Sequence, residues 1–283
     1  MRVGFVGLGN MGEGMAWNLA TKGFDVTVRD VRPEVVARLH DAGAASAGTN
    51  REIGRRSDVV FVAVFDDKQV LDVCLGGEGD TGVIDGLGDG GVLVVHSTIS
   101  PGTHRLLAER AEDHGVTVLD AAMTGGGDVA AREGSLTFFV GGDAATMARI
   151  LPAMEAMAQH VFHVGTLGTG AVAKIISNFL AVANVALVRE ASRLATAVGL
   201  DEQKVLSMIQ VGGVGSSWVS NNWARIRTQE ENYTTGRSGM VAMASKDMHL
   251  AAEVSAEVGT SMPILQFLLD NVIPDLDATG LTG

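Results

Sequence analysis

The chain of 283 residues is short of three things. The first is cysteine. Cys74 stands alone, so no intrachain disulfide and no cysteine metal cluster can form. A half-buried structural thiol in a reducing compartment is expected, with no metal site. The second is positive charge. Lys and Arg number 21 against 33 Asp and Glu, a formal net charge of -12. That excludes the basic face that nucleic acid or an anionic membrane needs, but leaves room for a small anionic substrate at a local positive site. The third is a long apolar run. The longest, Ile175 to Val188, is broken by Asn178 and Asn184 and is read as too short to span a bilayer. Met1 leads straight into an apolar strand with no signal sequence, so a cytoplasmic location is expected.

What is there in quantity is apolar surface and glycine: 46% hydrophobic residues and 37 Gly. Such a chain is globular, and its length suggests two domains. The most informative stretch is Met1 to Asp30. An apolar strand runs into Gly7-Leu8-Gly9-Asn10-Met11-Gly12, then a helix, then a second strand ending at Asp30. Gly7 permits a sharp bend, Gly9 removes a side chain that would hold a pyrophosphate away, and Gly12 lets helix and strand pack closely. The helix start offers free N–H groups to phosphates. Asp30 stands where a carboxylate accepts from an adenosine ribose and repels a 2′-phosphate, so NAD is expected, with NADP as the alternative. Arg29 and Arg32 flank it, either softening that preference or standing as solvated charges.

Downstream, Asp58 to Val64 and Val92 to Val95 are continuous apolar runs, the mark of strands covered on both faces. Helices alternate with them: one opens at Pro33, one is capped by Asp66-Asp67, one opens at Pro101. A strand from Val116 to Leu119 ends at Asp120; Ser135 to Gly142 and Val161 to Val164 follow as further strands. The fold class expected is α/β: a Rossmann-type doubly wound parallel sheet over residues 1–164, then an all-α domain over 165–283 whose tail, from Asp275, frays.

In an open parallel sheet, ligands bind past the carboxyl ends of the strands. Val64, Ser97, Thr98 and the loop Thr124-Gly125-Gly126-Gly127 all fall at such ends. The loop is either an anion nest or a flexible connection. In the first long helix of the second half, Lys174 and Asn178 are four apart and share a face. Lys174, among apolar neighbours, is either snorkelling at an edge or held in a pocket where it serves as acid or base. Lys246 alone reads as a surface lysine, and His96 as structural.

Four motifs in order then give a resemblance covering nearly the whole chain: Gly4 to Gly12 with Met15-Ala-Trp-Asn-Leu; Asp120-Ala-Ala-Met-Thr-Gly-Gly; Gly165-x-x-Gly-x-Gly-x-x-x-Lys174-x-x-x-Asn178; and Lys246-Asp247-x-x-Leu-Ala. The chain resembles the β-hydroxyacid dehydrogenase family, which includes 3-hydroxyisobutyrate dehydrogenases and tartronate semialdehyde reductases. The resemblance implies Lys174 as catalytic acid/base and Asn178 as a substrate ligand. It implies Thr124, Gly125 and Gly126 on the substrate carboxylate, with Ser97 close by. It places Val64, Thr98 and Lys246 against the cofactor, and makes Asp247 an orienting partner. The sequence departs from the family pattern at Thr124 (usually Ser), at Phe65 (usually Pro) and in a loop from Asp120 to Gly134 that is one residue longer, which bears on substrate identity rather than reaction type.

The function expected is hydride transfer between a nicotinamide cofactor and a small 3-hydroxy acid, 3-hydroxyisobutyrate-like. The alternatives are a tartronate semialdehyde, succinic semialdehyde or glyoxylate reductase. An imine reductase or a non-catalytic NAD-binding protein is disfavoured by Lys174 and Asn178. A homodimer or homotetramer is expected, because the long helix is more apolar than one crevice requires.

Overall fold

The computed structural model describes residues 1–77, 79, 81–233 and 235–282. Its first half alternates β1 (Arg2–Val6), α1 (Gly12–Thr21), β2 (Asp25–Arg29), α2 (Pro33–His40), β3 (Ala45–Ser46), α3 (Asn50–Arg55), β4 (Val59–Val62), α4 (Asp67–Leu75), β5 (Val92–Val95), α5 (Pro101–Glu112), β6 (Thr117–Thr124), α6 (Asp128–Glu133), β7 (Leu136–Gly141), α7 (Ala144–Met157) and β8 (Ala158–Gly165). Helices follow: α8 (Thr169–Ala197), α9 (Glu202–Gly212), α10 (Trp218–Asn221), α11 (Trp223–Glu231), α12 (Gly236–Glu257), α13 (Pro263–Phe267), a π-helical turn Leu268–Val272, and α14 (Ile273–Thr279). Two compact units result, Met1–Lys174 and Ile175–Gly283.

The first unit is one sheet in the order β3-β2-β1-β4-β5-β6-β7-β8. Successive residues of its inner strands feed opposite faces. Val59 and Phe61 join a core under α1, α2 and α7, while Val60 and Val62 join the other, with Val70 of α4 and Leu107 of α5. That two-sided burial is why these strands read as unbroken apolar runs. The helix starts are set by local chemistry. Thr49, Asp66 and Asp143 each accept a hydrogen bond from the backbone N–H three residues on, and Pro33 and Pro101 stand at first helical positions.

The sheet is not wholly parallel. β7 runs antiparallel to β6, and β8 is parallel to β7. The connection from Gly125 to Ser135 is shorter than a parallel crossover needs, about a dozen residues. It also contains α6, which the glycine-rich reading of that loop missed. Cys74 is wholly rather than half buried, and burial pushes its thiol up.

The second unit is all helical around its own core, in which Ile175, Val182, Val185 and Val188 of α8 meet Trp223, Met248, Leu265 and Leu276. Asn222 leaves helical geometry at φ -120°, ψ 19° and so separates α10 from α11. The π turn joins α13 to α14, whose second residue, Pro274, has no N–H to continue the ladder. One expectation is corrected in this unit: the tail is not frayed over its described part. Leu281 is buried, and the fully buried Glu230 carboxylate accepts from the N–H groups of Leu281 and Thr282 and from the Thr282 hydroxyl. Gly283 lies outside the described residues.

The length argument against a membrane span also changes. α8 has 29 residues and, by length and composition, is the one helix among those described that is apolar enough to cross a bilayer. Asn184 does not break it, because its side-chain amide donates to the Leu180 carbonyl at 2.7 Å, one turn back.

Candidate active site

The carboxyl ends of the parallel strands lie on one line across the first unit. Val6, Val62, Val95 and Asp120 are in register through β1, β4, β5 and β6. Every site residue expected in this unit before α8 ends or follows one of the strands β1, β2, β4, β5 and β6. Gly7 turns the chain at φ 91°, where a Cβ would lie 2.4 Å from the Ala63 carbonyl oxygen. At Gly12 a Cβ would lie 1.9 Å from the Gly7 carbonyl oxygen. Gly9 differs: nothing stands within 4 Å of where its Cβ would be. Two glycines are therefore there for close packing and one for open space, the division a pyrophosphate cradle requires. Met11, before α1, makes no side-chain hydrogen bond to the first-turn N–H groups.

Asp30 ends β2 beside this turn. Burial works against its ionisation, but the hydrogen bonds from Arg32 and the N–H groups of Leu8 and Arg32 outweigh it and hold the carboxyl below its usual range. At the ends of β4 and β5, the Ser97 hydroxyl accepts from Val64 N–H at 3.0 Å and donates to Val64 carbonyl at 2.7 Å. Ser97 thus pins Val64 rather than presenting an uncommitted hydroxyl. Thr98 follows it, half-buried. His96 points the other way, into the core. It is 1% exposed, bonded through Nδ1 to the Ala121 carbonyl at 2.6 Å and stacked on Phe61. Burial pushes its pKa down to about 4, so it is neutral at pH 7 and structural.

Thr124 ends β6, and Gly125, Gly126 and Gly127 follow with φ of 137°, 104° and 84°, a run of left-handed values that only glycine takes freely. α6 hangs from that loop and is tied to the cofactor helix: the buried Asn18 amide donates to the Ala131 carbonyl at 2.8 Å. Asn18 lies in the first motif, and this tie to α6 was not legible in sequence.

Asp120 is the other residue whose role was missed. Its carboxylate is 1% exposed and accepts from Gly168 N–H at 2.6 Å and from Ala171 N–H at 2.7 Å. It therefore caps the start of α8, whose second turn carries Lys174. Gly170 makes the approach feasible, since a Cβ there would lie 2.7 Å from Asp120 Oδ2 and 2.2 Å from the Phe139 carbonyl oxygen. The aspartate of the second motif and the glycines of the third are one device.

In the second unit, Asn178 and Lys246 share a partner. Asp247, 2% exposed, accepts from the Asn178 amide at 2.5 Å and pairs with Lys246 Nζ at 3.0 Å. The bond orients the Asn178 amide, with its nitrogen towards Asp247. Among the described residues, no group of three His, Cys, Asp or Glu could hold a metal ion.

A glycine cradle at a β1–α1 turn with an acid just after β2 defines a dinucleotide-binding protein, and the comparisons narrow it. Residues 2–165 match the model of the NAD-binding domain of 6-phosphogluconate dehydrogenase, and residues 168–272 that of the NAD-binding domain of NADP-dependent 3-hydroxyisobutyrate dehydrogenase. The chain is 36% identical to a 3-hydroxyisobutyrate dehydrogenase of Pseudomonas aeruginosa, over 93% of this chain and 88% of that one. It is 32% identical to a 2-hydroxy-3-oxopropionate reductase of Escherichia coli, over 93% and 87%. A 3-hydroxyisobutyrate dehydrogenase of Mycobacterium tuberculosis, solved with L-serine, superposes with a TM-score of 0.81 at 27% identity, over 100% of this chain and 96% of that one. The chain belongs to the β-hydroxyacid dehydrogenase family and is an NAD-dependent dehydrogenase of hydroxy acids.

Proposed function

We propose that the protein oxidises a small 3-hydroxy acid of the 3-hydroxyisobutyrate type to its semialdehyde, with Lys174 as the proton acceptor. The observation that carries this is the capping of α8 by Asp120, which fixes the helix bearing Lys174 to the strand leading to Thr124. A nicotinamide cofactor would be held in the first unit by Gly7 to Gly12 and Asp30, with Val64 and Thr98 at the neighbouring strand ends, and would supply the hydride acceptor; Lys246 is the residue of the second unit assigned to the cofactor. The N–H groups of Gly125 and Gly126 and the Thr124 hydroxyl hold the substrate carboxylate, so that the hydroxyl-bearing carbon is presented in one orientation. Lys174 takes the hydroxyl proton, and returns it in reduction. Asn178, oriented by Asp247, bonds the substrate, while Ser97 sets the Val64 backbone.

The first unit is the dinucleotide-binding part, and the helical unit carries the dimer interface. The location is cytoplasmic, with neither nucleic acid nor membrane as partner. A tartronate or succinic semialdehyde reductase is the second reading, favoured by the 2-hydroxy-3-oxopropionate reductase relative.

The test is NADH formation with 3-hydroxyisobutyrate, serine, glycerate and 4-hydroxybutyrate. Lys174→Ala should lower kcat on the best of them by about 10²- to 10⁴-fold while NAD binding is kept. Near-normal turnover would remove Lys174 from the mechanism.

A further inference from the structure

The carboxylate of Asp30 is already fully occupied by the protein itself. Oδ2 accepts from Leu8 N–H at 2.6 Å and from Arg32 Nη2 at 3.2 Å. Oδ1 accepts from Arg32 N–H at 2.9 Å and from Arg32 Nε at 3.0 Å. A carboxylate has about four lone-pair positions, and these four donors fill them. The side chain is only 7% exposed. Arg32 Nη2 also donates to the Leu8 carbonyl at 3.0 Å, so the guanidinium bridges the acid and the glycine turn like a latch.

An adenosine ribose that is to donate a hydroxyl to Asp30 must displace one of these donors. Two of them, the N–H groups of Leu8 and Arg32, are backbone, fixed by the glycine turn and by the entry to α2. The guanidinium is the movable one. Its side chain is 38% exposed, and among the described residues Asp30 is its ion-pair partner.

We propose that Arg32 is a specificity-determining residue, which occupies the ribose seat on Asp30 in the cofactor-free protein and swings aside when a dinucleotide binds. This rests on the NAD-binding reading of the glycine turn. The displaced guanidinium remains beside the ribose 2′ position, two residues along the chain from Asp30. With NAD it has nothing to meet, and breaking the latch is a cost on binding. With NADP it meets a 2′-phosphate, and the charge-assisted contact offsets both that cost and part of the repulsion from Asp30. One residue therefore weakens the preferred cofactor and strengthens the disfavoured one, narrowing the discrimination that Asp30 alone would give.

The experiment is titration of NADH and NADPH into the full-length protein and its Arg32→Ala variant, followed by cofactor fluorescence, with melting curves to confirm folding. Arg32→Gln replaces the Ala variant if that one does not fold. NADH should bind about three- to fivefold tighter to the variant, the share of a partly exposed ion pair that need no longer be broken. NADPH should bind about tenfold weaker, because the loss of a charge-assisted contact worth about thirty- to fiftyfold outweighs the same three- to fivefold gain. The opposite signs are the signature. NADH binding that is unchanged or weaker overturns the displacement, and NADPH binding that does not weaken overturns the phosphate contact. A parent protein that binds neither cofactor overturns the reading of the glycine turn, which is a separate failure.

Discussion

His96 shows how one residue can stand one position from a ligand-binding strand end and still belong to the core. Its neighbour Ser97 reaches back to Val64, while the imidazole is packed among Phe5, Phe61 and Phe138. The ring is neutral in the folded protein, with a pKa near 4 against an ordinary 6.5. A depressed histidine acts on stability as follows. Above pH 6.5 both folded and unfolded forms are neutral and the group contributes nothing. As pH falls from 6.5 towards 4, the unfolded chain takes up the proton and the folded one does not, so stability is lost, by up to about 3 kcal/mol. His104, also buried and likewise lowered by desolvation, acts in the same direction. In His96→Phe the urea midpoint should therefore fall less steeply between pH 6.5 and 4 than in the parent, whatever its value at pH 8. An unchanged slope would show that His96 is already protonated in the folded state.

At the scale of elements, the decisive junction is β6 to α8. Asp120 holds two N–H groups at the start of a 29-residue helix from a buried position, and replacing it leaves both unpaired. Asp120→Ala should lower stability by about 2–3 kcal/mol, as buried hydrogen bonds to a charged group do. Gly170→Ala should do comparable damage, since its Cβ has no space between Asp120 and the Phe139 carbonyl. Urea unfolding measures both, and kcat on the surviving folded protein should fall with them because Lys174 moves with its helix. A Gly170→Ala protein of parental stability and turnover would show that the junction yields. The sequence made most of these elements legible, but not their ties. Strands with both faces buried, proline-started helices and the Gly7-x-Gly9-x-x-Gly12 turn are local patterns. The bond from Asp120 to Gly168 and the grip of Asn18 on α6 pair residues that spacing alone cannot bring together. α6 was hidden because glycines dominate its approach, and the ordered tail because its anchor, Glu230, lies far away in the chain.

For the whole molecule, the open question is what covers α8. One face is committed to the core of its own unit through Ile175, Val182, Val185 and Val188. The opposite face exposes Leu180, Leu187 and Leu194 at 54%, 67% and 67%, one leucine every seven residues. A heptad spacing is the pattern of a helix that packs along another helix, not of one surrounded by lipid. Moreover, Arg189 and Ser192 lie within the same helix and are buried in the unit, Arg189 with Asp275 as its ion partner at 3.2 Å. The chain's charge of -12 would also oppose an anionic bilayer. A second copy of the chain, paired along α8, is the occupant that these features fit. The protein should therefore sediment without detergent at twice 29.4 kDa or a higher even multiple. The double variant Leu187→Glu, Leu194→Glu places like charges along the seam and should shift the mass towards the monomer while leaving NAD binding to the first unit intact. A parent protein that sediments as a monomer at micromolar concentration, or one that requires detergent to remain in solution, would remove the leucine stripe from the dimer and leave α8 to another partner.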